Sequence, residues 1–165
     1  MNRDARFSRG SLVFAEIATG EVTRASGADF KERKVIAKGL AGPVQMMIAK
    51  NGALYVTEAA GNLTRINITD GSKTVVADKL ALPEGVAQTP WGTFIVAEAA
   101  ARRLVEIDPA NGSRRTVAEN LPIGLEAGPG LPPPNIPTGV AVGADGVIYI
   151  SADRNNAIYK IKPQR

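Results

Sequence analysis

Residues 51–71 read NGALYVTEAAGNLTRINITDG, two short β-branched and aromatic stretches set around Gly61 and closed by Asn, Asp and Gly. Forty residues further on, at 91–112, the chain says nearly the same thing: WGTFIVAEAAARRLVEIDPANG. Working outward, two more segments align with these, SLVFAEIATGEVTRA at 11–25 and VIYISADRNNAIYKI at 147–161. Leu12, Leu54, Phe94 and Ile148 then occupy one position, recurring at intervals of 42, 40 and 54 residues. A fixed period of this size is the mark of a repeat architecture, in which each copy is one supersecondary unit.

Each copy has the same grammar. An apolar stretch (GPVQMMIA, EGVAQT, TGVAVG) leads to a tight turn (KNG, PWG, ADG) and a second stretch (LYVTE, FIVAE, IYISA). A third follows (NLTRIN, RLVEID, AIYKIK), then a turn (TDGS, PANGS) and a fourth (KTVVAD, RRTVAE). Asn51-Gly52 and Asp145-Gly146 suit the left-handed positions of two-residue hairpin turns, so the flanking strands are expected to be antiparallel neighbours. Apolar residues cluster in runs of three to five bounded by Gly, Asn, Asp and Pro, without the 3.6 spacing of helices. Four short strands per period of about 40 residues is the pattern of a propeller blade.

The phrases GLAGPVQMMIAKNGALYVTEAAGNLTRI, LPEGVAQTPWGTFIVAEAAARRLVEIDPANG and IPTGVAVGADGVIYISADRNNAIYKI resemble the repeats of NHL-type propellers. They are similar also to gluconolactonase-like (SMP-30-like) and strictosidine-synthase-like propellers. The resemblance covers residues 11 to 161 and implies an all-β, propeller-like array of blades of four-stranded antiparallel sheets. The repeats fall at approximately 11–42, 43–82, 83–122 and 137–165, within a single domain spanning 1–165. The Pro-rich insertion 121–137, with six prolines, is too stiff and too poor in donors to be a strand. It reads as a lid or binding loop, or as a rigid connector between blades.

The first copy has no recognisable strand before SLVFAE, and the last has none after AIYKIK, leaving three, four, four and three strands. Incomplete terminal blades leave exposed edges and faces. Association of copies is therefore expected to complete them, a head-to-tail homodimer being the most economical arrangement. A closed monomeric ring of four blades is the alternative.

Composition narrows the chemistry. The chain has no cysteine and no histidine, so disulfides, thiolate metal sites, Ser-His-Asp triads and histidine-bound zinc are excluded within it. A net charge of +4 comes from basic residues scattered among acids, with few aromatics between them, so no nucleic-acid face is expected. No apolar run is long enough to cross a bilayer and the first residues lack a signal-peptide core, so no membrane association and a cytoplasmic location are expected.

In a propeller of the resembled kind, each blade's first strand lines the channel. This singles out Gln45 and Met46, Glu84, and Asn135 and Thr138 as channel-side candidates. Trp91, the single tryptophan, stands in a hairpin turn as a contact or packing residue. Glu16, Glu58 and Glu98 recur just after the second strand, with Asp153 shifted by one. They are readable as oxygen ligands for a hard cation, or as a structural device that each blade repeats, accepting backbone hydrogen bonds or pairing with an arginine such as Arg24 or Arg65.

Gluconolactonase-like enzymes hold a metal with an acid, asparagines and an aspartate. By that resemblance Glu84 and Asp153 are the metal ligands and Ca²⁺ the cofactor; the residues by themselves require none. The asparagine expected before the first-strand glycine is Thr138 here, and Asn135 lies three residues early. The function expected is a non-catalytic scaffold binding a protein or small-molecule ligand through channel-side loops. The alternative is a Ca²⁺-dependent lactonase.

Overall fold

Alternating side chains bounded by turn residues become fourteen strands, with no helix among the described residues. The computed structural model describes residues 11–126, 129 and 137–162; Asn135 and most of the Pro-rich insertion lie outside them. The strands form four antiparallel up-and-down sheets. The first is β1 (Leu12–Glu16), β2 (Glu21–Ser26) and β3 (Glu32–Ala37). The second is β4 (Pro43–Ile48), β5 (Leu54–Glu58), β6 (Asn62–Ile66) and β7 (Lys73–Ala77). The third is β8 (Pro83–Gln88), β9 (Phe94–Glu98), β10 (Arg103–Ile107) and β11 (Arg114–Ala118). The fourth is β12 (Val140–Val142), β13 (Ile148–Ala152) and β14 (Ala157–Ile161). The three, four, four, three pattern agrees with the sequence reading. No helix of the described residues is long and apolar enough to cross a membrane.

The hairpin turns differ from expectation. Gly52 N–H donates to Ala49 O at 2.8 Å, and Ala49 N–H to Ala53 O at 2.9 Å. Gly52 has φ 82° while Asn51 stays out of the left-handed region. The connection is a three-residue loop, a type I turn closed by a left-handed glycine, and 89–93 and 143–147 repeat it. The reason is local: Asn51 Oδ1 accepts Ala53 N–H at 3.0 Å and Asp145 Oδ1 accepts Val147 N–H at 3.1 Å, side-chain bonds that favour the wider loop.

Each sheet is apolar on both faces, so it must be covered twice. We call forward the face that packs on the following blade, and rear the opposite one. Val13, Ala15 and Val22 on the forward face of blade one meet Leu54, Val56 and Ile66 on the rear face of blade two. Tyr55 and Leu63 then meet Phe94, Val96, Val105 and Ile107 of blade three, with the Tyr55 and Phe94 rings stacked at 4.1 Å. Ile95, Ala97 and Leu104 in turn meet Ile148 and Ile150 of blade four. Each fully buried Leu, Ile or Phe in these junctions contributes roughly 1.5–3 kcal/mol. The three apolar clusters join consecutive blades, and none among the described residues joins the first blade to the fourth. Among the described residues the four blades of the alternative ring therefore do not close on themselves, and Ile158 at one end is 76% and Leu12 at the other 53% accessible.

Backbones approach closely at these junctions. Gly71, in the β6–β7 turn at φ 74°, has no room for a side chain: a Cβ there would lie 2.2 Å from Ile36 O of blade one. Gly92, at φ 101°, has open space around it. Gly92→Ala is expected to cost about 1 kcal/mol, the left-handed penalty alone. Gly71→Ala should cost about 2 kcal/mol or more, because the junction must also open; urea denaturation of the two variants reads the difference.

Candidate functional site

The inner strands β4, β8 and β12 lie side by side, and their side chains bind the neighbouring blade's backbone. Gln45 Oε1 accepts Val86 N–H at 2.9 Å. Thr57 Oγ1 donates to Glu84 O at 2.6 Å and accepts Gln45 N–H at 3.2 Å. Glu84 Oε2 accepts Thr138 N–H at 2.6 Å. Gly85 permits this closeness, since a Cβ there would lie 2.4 Å from Thr138 O. Gln45, Glu84 and Thr138 are thus brought into one row across three blades. Thr138 is 1% accessible, and its Oγ1 is buried with no hydrogen-bond partner. Asn135 lies outside the described residues, and Met46 packs into the apolar cluster of the first junction.

Asp153 has other partners. Its Oδ2 accepts Leu125 N–H at 2.7 Å, tethering the chain that leaves the third blade, and its Oδ1 is buried without a partner. Glu84 and Asp153 therefore each hold a backbone amide, Thr138 N–H and Leu125 N–H respectively. Among the described residues no three or more acidic, histidine or cysteine side chains converge as a metal site.

The recurring glutamates form a second device. Glu58 Oε2 accepts Ala41 N–H at 2.5 Å while its Oε1 takes the Thr64 hydroxyl. Glu98 Oε1 accepts Ala81 N–H at 2.7 Å while its Oε2 takes the Arg103 guanidinium. Each buried carboxylate anchors the segment that enters its own blade's inner strand. Arg103 is held more firmly charged than usual, chiefly by that hydrogen bond with Glu98. Arg24 and Arg65 are not the partners: Arg24 bonds Ser11 at 3.0 Å, and Glu16 is exposed with Thr19 Oγ1 at 3.3 Å.

Trp91 lies apart from the inner-strand row, in an open cleft of about 510 Å³ lined also by Asp108, Arg114 and Arg115. Its indole Nε1 donates to Glu106 Oε1 at 2.9 Å, and its ring covers Gly146 of the next blade so closely that a Cβ there would lie 2.4 Å from the ring. Thr93 also donates to Glu106, and Arg115 pairs with it at 2.5 Å. Burial, the largest single influence on Glu106, works to raise its pKa; the Thr93, Trp91 and Arg115 contacts together outweigh it and leave the carboxyl below its ordinary value. Glu106 and Thr57 were not legible as functional positions. The signal available for Glu106 was that it is acidic where the other copies carry Arg24, Arg65 and Lys160.

With four radially consecutive antiparallel sheets and their inner strands adjacent, the architecture is decided. The fold is that of a β-propeller. Solved structures agree. Virginiamycin B lyase from Staphylococcus aureus superposes with TM-score 0.68 at 18% identity, over 94% of this chain and 50% of the lyase. A gluconolactonase from Xanthomonas campestris gives 0.66 at 21%, over 93% of this chain and 59% of the enzyme. The WD40 propeller domain of Doa1 gives 0.70 at 13%, over 96% and 49%. The propeller chain described here spans about half the length of these proteins. No family model and no curated protein matches its sequence.

The Glu106 hub carries a pH signature. A carboxyl whose pKa falls on folding stabilises the fold above its unfolded value, ordinarily 4.5, and this contribution disappears as pH drops through the lower folded value. The stability gap between the wild type and Glu106→Gln is expected to be constant above about pH 6 and to narrow below 4.5. Urea denaturation across pH measures the gap, and emission from Trp91, the sole tryptophan, titrates with it.

Proposed function

We propose that this chain is a non-catalytic propeller scaffold that binds a protein or small-molecule ligand through its channel-side loops and works as an assembly of copies. One observation carries the reading: the side chains best suited to chemistry are committed to backbone amides. Glu84 holds Thr138 N–H, Gln45 holds Val86 N–H, and Glu58 and Glu98 hold Ala41 and Ala81 N–H. Groups spent on holding backbone amides are poor nucleophiles, bases or ligands.

The propeller fold itself carries no activity, since a lyase, a lactonase and a WD40 domain share it. Virginiamycin B lyase is catalytically inactive when one histidine is replaced by alanine, and this chain has no histidine. On the proposed reading the ligand meets the row at the half-buried Gln45 and Glu84, beside the buried Thr138, and Trp91 offers a half-exposed ring in the separate cleft.

A second reading, a Ca²⁺-dependent lactonase, draws support from the unpartnered Asp153 Oδ1. Carboxylate oxygens are what Ca²⁺ takes, in sets of six to eight oxygens, and Asp153 and Glu84 would be its ligands. Calorimetric titration with Ca²⁺ and a lactone panel separate the two readings. The scaffold reading expects no saturable heat and no turnover. A stoichiometric Ca²⁺ isotherm lost in Asp153→Ala, together with Ca²⁺-dependent hydrolysis, would replace it with the hydrolase.

A further inference from the structure

At every internal junction the same two sets of positions meet. The forward positions are Val22, Leu63 and Leu104 in blades one to three, each 0% accessible. In blade four the same position is Ile158, 76% accessible, and beside it Tyr149 and Ser151 stand exposed where Ile95 and Ala97 of blade three are buried. The rear positions show the converse. Leu54, Phe94 and Ile148 are at most 1% accessible, whereas their counterpart in blade one, Leu12, is 53% accessible. The register groups these residues at each end: Tyr149 faces Lys160 and Ser151 faces Ile158 across β13 and β14, while Leu12 faces Ala25, which is itself buried, across β1 and β2. Blade four thus presents one half of a blade junction and blade one presents residues of the other half.

We infer that the forward face of blade four binds the rear face of blade one in a second copy of this chain, and that two copies close a ring through two equivalent junctions. This rests on the assembly part of the function proposed above and specifies the surfaces that make it. Three arguments select a second copy as the occupant. The surface that blade four lacks is a rear face of this repeat, and blade one of the same chain carries one that is open at Leu12, with Thr23 and Ala25 buried on it and no described apolar cluster joining it to another blade. The contact continues the junctions already formed within the chain, with Ile158 standing where Leu63 and Leu104 insert. The chain matches about half the length of the solved propellers it resembles, and two copies supply eight blades, within the range of roughly 4–8 at which propellers close. The contact is head-to-tail, so each copy uses both ends, and closure leaves neither end face open.

The test uses the intact chain. Native mass spectrometry and light scattering at micromolar concentration are expected to give twice the 17.3 kDa chain mass. Ile158→Glu and Leu12→Glu, both at exposed positions, should each weaken pairing at least tenfold while leaving the circular dichroism and Trp91 emission unchanged; Tyr149→Lys serves as a second variant of the forward face. Mixing the two glutamate variants should restore a two-copy species, because the forward face of one and the rear face of the other remain intact. A wild-type monomer at 100-fold higher concentration would overturn both the faces and the assembly. A dimer unmoved by either variant would overturn the faces alone and leave the assembly standing. A dimer broken by Ile158→Glu but not by Leu12→Glu would replace the head-to-tail contact with a symmetric pairing of forward faces.

Discussion

The constraint on which this structure depends is that a small sheet with two apolar faces must be covered on both. A sheet of three or four short strands has little interior of its own, so its hydrophobic free energy is realised only against a neighbour. Nearly every other feature follows from that requirement. The inner strands come close enough for Glu84 to reach Thr138 N–H only because Gly85 carries no side chain. The buried glutamates 58 and 98 fix where the chain enters each blade, setting the angle at which its faces meet the next.

Much of this was legible. The strands could be read because period-two patterning and turn residues are local properties, and because four copies allowed one to be checked against another. The three strands of the first and fourth sheets, among the described residues, were visible for the same reason. The turn type was not, since Asn-Gly serves both a two-residue turn and the three-residue loop that Asn51 Oδ1 selects by bonding Ala53. The roles of the acids were only half legible. That Glu58 and Glu98 recur pointed to a structural device, but their partners Ala41 and Ala81 lie 17 residues back in the chain. No local pattern announces a contact of that range.

The Glu106 hub was hidden for a related reason. A carboxylate on β10 gathers an indole and a hydroxyl from the β8–β9 turn, Trp91 and Thr93, and a guanidinium from β11, Arg115, and only the folded chain assembles them. Its effect is to pin the β8–β9 turn over Gly146 of the following blade. Polar contacts thus reinforce at the periphery the registration that apolar packing sets between the sheets.

The sameness of the junctions has an evolutionary consequence. Because every blade offers the same pair of complementary surfaces, a gene can gain or lose one period of about 40 residues and still encode blades that fit each other, as a chain of identical links stays coupled when one is removed. What such an event changes is the curvature the ring must adopt to meet itself. Blade number is then free to drift in steps of one, and the interior opening of the ring widens or narrows with it.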